Sequence, residues 1–77
     1  MHLVDAANVM APAYLTILSK GYSVKRCGER MVAEREGSSF AAESPVTLLG
    51  LIAIAETRGE MWQASDDEID EFVALFG

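Results

Sequence analysis

The chain holds one histidine, one cysteine and one tryptophan in 77 residues. A single cysteine excludes a disulfide within the chain and points to a reducing, cytoplasmic setting. His2 and Cys27 formally allow a Cys–His nucleophile pair, but no third group can be named to orient the imidazole. The ordinary reading is a terminal histidine and a small half-buried thiol at a strand end.

Positive charge is also scarce. Twelve acids stand against six bases, a net charge of −6. That balance argues against non-specific binding to nucleic acid or anionic membrane, since both are polyanions. The longest apolar run, Val46 to Ala55, is broken by Thr47 and falls far short of the ~20 residues a membrane span needs. The first residues lack the basic and continuous apolar regions of a secretory signal. Neither G-x-x-x-x-G-K-[ST] nor G-x-G-x-x-G occurs, so no phosphate-binding loop is expected. Without a linker, repeat or low-complexity tract, residues 1–77 are expected to form one small domain.

What is present is apolar content, 51% of the residues, too much for a disordered chain. It centres on Ser44 to Gly59. Ser44 suits an N-cap and Pro45 the first helical position, while Arg58 and Gly59 suit a helix end. The residues between are apolar nearly all round, which predicts a central helix covered on most sides. Gly50 interrupts it, at a cost of about 1 kcal/mol relative to alanine, and close approach of another element is the expected reason.

Before that helix, Met10, Tyr14, Ile17 and Leu18 share one helical face, and Gly21 marks its end. Pro12 places the start near residues 9–12; an earlier turn capped by Asp5 is the alternative. Residues 22–27, 30–36 and 39–42 alternate as three strands, turning at Gly28 and at Gly37-Ser38. After residue 59, Ser65 and Glu68 form a capping box, and Ile69, Phe72, Val73 and Phe76 follow as one apolar stripe. The predicted fold is α+β. Its order is α-β-β-β-α-α, a three-stranded antiparallel meander with the helices packed on one face.

The acids Asp66, Asp67, Glu68, Asp70 and Glu71 lack the alternating oxygen ligands and the glycine of a calcium loop, and the capping box accounts for the first three. No catalytic, cofactor-binding or metal-ligating residue is assigned, and no cofactor is expected. The most promising contact residues are Met61, Trp62, Ile69, Phe72 and Phe76, because aromatics and methionine are enriched at interfaces. The competing reading places them in the core. A non-catalytic protein-interaction or regulatory module, which binds a protein partner or self-associates as a homodimer, is the leading functional expectation. A small-ligand domain with a cleft between helix and sheet is the alternative.

The α-β-β-β-α order resembles double-stranded-RNA-binding domains, which implies lysines at the start of the helix after the sheet. Here that start is Glu43-Ser44-Pro45-Val46-Thr47, with no lysine. The segments Ser44-Pro45-Val46, Leu48-Leu49-Gly50-Leu51, Arg58-Gly59-Glu60 with Trp62, and Ser65-Asp66 with Glu68-Ile69-Asp70 and Phe72 also resemble short bacterial proteins of unknown function. That resemblance implies no activity.

Charge generates the first prediction. The chain should give no salt-dependent, sub-micromolar anisotropy shift with duplex RNA or DNA. Such a shift would restore the RNA-binding analogy.

Overall fold

The computed structural model describes residues 1–3 and 7–77. A 3-10 turn, Ala7–Val9, leads into α1, Met10–Ser19. The helix therefore starts inside the expected window, with Pro12 in its first turn, where a missing N–H is tolerated. The alternative start at Asp5 lies outside the described residues. Gly21, at φ 90°, ends the helix and turns the chain into the sheet.

Strands β1 (Ser23–Cys27), β2 (Arg30–Arg35) and β3 (Ser38–Ala42) form an antiparallel meander in the order β1-β2-β3. Val24 pairs with Ala33, and Ala33 with Phe40. The alternation of side chains puts Tyr22, Val24, Met31, Ala33, Phe40 and Ala42 on the inner face. Lys25, Arg30, Val32 and Glu34 take the outer face. There Lys25 Nζ lies 3.0 Å from Glu34 Oε1. That hydrogen bond, and then the Glu34 charge, raise the Lys25 pKa. Arg26 and Arg35 fall on the inner register, at the ends of their strands. The Arg35 guanidinium stacks 4.8 Å from the Tyr22 ring centre, and its Nη1 donates to Lys20 O at 2.6 Å.

The second hairpin turns at Glu36-Gly37, one residue before the expected Gly37-Ser38. Arg35 pairs with Ser38, which leaves two loop residues with φ of 50° and 85°. Positive φ at both is the geometry that matches strand twist in a tight hairpin. Glutamate is a poor residue for that region, so the sequence pattern points one residue too late.

The helix expected at the centre is α2, Pro45–Arg58. Ser44 Oγ accepts from Thr47 N at 3.2 Å, and Gly59, at φ 64°, caps the end. α2 packs on β2, β3 and α1, and α1 on β1. Ile17, Tyr22, Ala33, Ala42, Leu48 and Ile52 form the core, flanked by Val24, Met31, Phe40 and Leu49. Tyr22 and Phe40 meet edge to face, with ring centres 6.0 Å apart. A second 3-10 turn, Gly59–Met61, leads to α3, Asp66–Phe76.

Burial differs from expectation in three places. α2 buries only Pro45, Leu48 and Ile52, while Val46, Leu51 and Ile54 are exposed. α1 buries Ala13 and Ile17, whereas Met10, Tyr14 and Leu18 stay more than a third exposed. Both follow from size. Three strands ~4.8 Å apart give a face about 14 Å wide, whereas two helices side by side need roughly 20 Å. The third difference is Gly50, where an added Cβ would meet nothing within 4 Å. Close approach within the chain is therefore not its reason.

Gly50→Ala should stabilise the fold by about 1 kcal/mol, since the helix gains propensity without a clash. A thermal melt would show this as a rise of several degrees for a domain of this size. A lower melting temperature would show that a neighbour occupies the space over Gly50.

Candidate interaction surface

α3 begins with a complete capping box. Ser65 Oγ accepts from Glu68 N at 3.2 Å, and Ser65 N donates to Glu68 Oε1 at 2.8 Å. Asp66 and Asp67 add charge in the first turn, at the positive end of the helix dipole. The Ser65 hydrogen bonds, then the Arg58 charge, hold the Glu68 pKa below the usual glutamate range. Arg58 ties the connector as well: its Nε donates to Trp62 O at 3.0 Å, and its Nη2 lies 3.7 Å from Glu68 Oε1.

The apolar stripe of α3 faces solvent. Ile69 is 47% exposed, Phe72 61% and Phe76 73%, with Val73 and Leu75 also exposed. Trp62 and Met61, just before the helix, are 54% and 83% exposed. All five residues proposed from sequence lie outside the core of the described chain. Phe72 and Phe76 meet as a tilted pair, ring centres 5.2 Å apart, and α3 packs extensively on no other described element. Asp67, Asp70 and Glu71 lie mostly off the stripe, whereas Asp66, three residues before Ile69 and seven before Val73, borders it. A capped helix with such a stripe can dock through anchors at i, i+3, i+4 and i+7.

A second apolar feature escaped sequence reasoning. A groove of about 510 Å³ runs between α1 and the start of α2, lined by Leu3, Pro12, Ala13, Thr16, Val46 and Leu49, with Asn8 at its side. It lies between two helices and not between helix and sheet, where a cleft was expected. Its walls come from segments about thirty residues apart, and neither shows a local signal. The one hint was the absence of charge: α1 has none, and α2 has none before Glu56.

His2 and Cys27 are both exposed. No group of three or more His, Cys, Asp or Glu side chains that could hold a metal occurs among the described residues. Among those residues, no helix is long and apolar enough to cross a membrane.

Because α3 carries its own caps and packs on little else within its own chain, Ser65→Ala should act locally when the chain is dilute enough to be monomeric. The cap is worth about 1 kcal/mol to the helix, so far-UV ellipticity should fall while the melt of the sheet, followed through Tyr22, stays put. A matching fall in the global melting temperature would show α3 to be part of the cooperative core.

No protein-family model, curated protein or solved structure matches this chain.

Proposed function

We propose that the chain is a non-catalytic protein-interaction module of the cytoplasm. Its contact surface is Met61, Trp62 and the Ile69, Phe72, Val73 and Phe76 face of α3. One observation carries this: the most amphipathic helix in the chain is capped at its start, yet its apolar face is open to water. Exposed apolar patches on small proteins mark contact sites, since leaving them wet costs solubility. Aromatic anchors on a regular helix keep the side-chain entropy lost on docking small.

The second reading is a small-ligand domain that uses the α1–α2 groove. It is favoured by the groove's size, which falls in the usual ligand range of about 300–1,000 Å³. It is weakened by the lining, where Asn8 and Thr16 are the only polar side chains among the described residues.

A photo-crosslinking phenylalanine analogue placed at position 72 or 62 tests the first reading. Irradiation in the native host should give discrete protein adducts at both positions, and few at the outer-face position 34. Absence of adducts at 62 and 72 across growth conditions would sink the proposal.

A further inference from the structure

The interaction-module reading leaves the partner open, and the exposed surface narrows it. The chain exposes 6185 Å². A folded monomer of 8.3 kDa exposes about 4,600 Å². The excess is about 1,600 Å². A standard interface takes roughly 800 Å² from each partner, and obligate homodimers take more. The radius of gyration agrees: 14.2 Å, against about 11.5 Å for a compact chain of this length. The surplus is the size of one stable dimer interface.

We infer that the partner is a second copy of this chain, with α3 of each copy seated in the α1–α2 groove of the other. The inference rests on the interaction-module reading and names its partner. The chain carries both halves of the contact. One is a helical ridge of Ile69, Phe72, Val73 and Phe76, and the other is an apolar groove between two helices. A two-fold exchange closes both surfaces at once, as a self-complementary interface requires. A foreign partner on α3 alone leaves the groove wet.

Charge selects the same arrangement. The described residues that line the groove carry no charged side chain, so the apolar ridge meets no fixed charge there, and Asp67, Asp70 and Glu71, off the ridge, stay in water. The outer sheet face, though basic, is a poorer acceptor. Lys25 already pairs with Glu34 there, and its apolar content is little more than Val32 and Ala41. An apolar ridge gains little by covering it.

Geometry favours exchange over folding back. The groove lies against Val46 and Leu49, near the start of α2, whereas α3 leaves from its end. Twelve helical residues separate Val46 from Arg58, about 18 Å along the axis. Gly59 turns the chain at φ 64°, and Arg58 pins the connector and the first turn of α3 at that far end.

Sedimentation of the chain across a wide concentration range is the test, with Phe72→Asp on the ridge and Val46→Asp on the groove wall. Both residues are exposed, and the circular dichroism of each variant reports on folding. The wild type should be a dimer. Each variant should dissociate at least thirty-fold more readily, as expected for loss of a central anchor at about 2 kcal/mol. Mixing the two variants should restore a heterodimer, because one ridge and one groove remain intact. A wild-type dimer broken by Phe72→Asp but not by Val46→Asp would overturn the groove assignment and leave α3 as the contact element. A wild-type monomer with exposed-like Trp62 emission would remove self-association and leave a foreign partner. A monomer with buried-like emission would show α3 folded onto its own chain, overturning both this inference and the interaction reading.

Discussion

Leu48 and Ile52 of α2 press, together with Ile17 of α1, onto the inner face of a three-stranded sheet. These three are the largest side chains the chain removes wholly from water. Each is worth about 2–3 kcal/mol of apolar burial. The other buried residues are small, apart from Tyr22, whose ring closes the edge of the cluster against Phe40 and under Arg35. The register of the meander follows from this contact. A slip of one residue would turn Ala33 and Phe40 outward and put Val32 and Glu34 against the helices.

The same contact limits what the fold can cover. A sheet of three strands offers one narrow face, and two helices more than fill it. The flanks of both helices remain wet, and so does all of α3. That third helix has 11 residues, a length at which an isolated helix is marginal in water. Its capping box, its acidic first turn and the Arg58 pair supply local support in place of packing. A helix so supported, with its apolar side unspent, is suited to completing its stability on contact with a partner. The absence of charge along α1 and most of α2 has a matching effect. It leaves a groove whose described lining carries no charged side chain.

Much of the architecture could be read from residue patterns because its signals are local. Ser44-Pro45 and Gly59 bracket α2, Ser65 and Glu68 open α3, and Gly21 and Gly28 mark turns. Each acts through a hydrogen bond or a backbone angle within a few residues, so neighbours in sequence suffice to predict it. The Glu36-Gly37 turn was misplaced because glutamate there adopts a conformation against its own preference. Pairing on both sides imposes that conformation, and propensity cannot reveal it. The interface candidates were legible as a stripe of Ile69, Phe72, Val73 and Phe76, but not as exposed, since periodicity shows which residues share a face and not what that face meets.

The sequence by itself determined the elements, their order, their caps and the sides on which apolar residues gather, because those depend on short-range sterics and hydrogen bonding. Only the tertiary structure decided which of those sides are covered. Coverage is a competition for a limited inner face, settled by strand number and helix width together. It buried Leu48 and Ile52, left Gly50 facing open space, formed a groove from Pro12, Ala13, Val46 and Leu49, and left Phe72 and Phe76 in water.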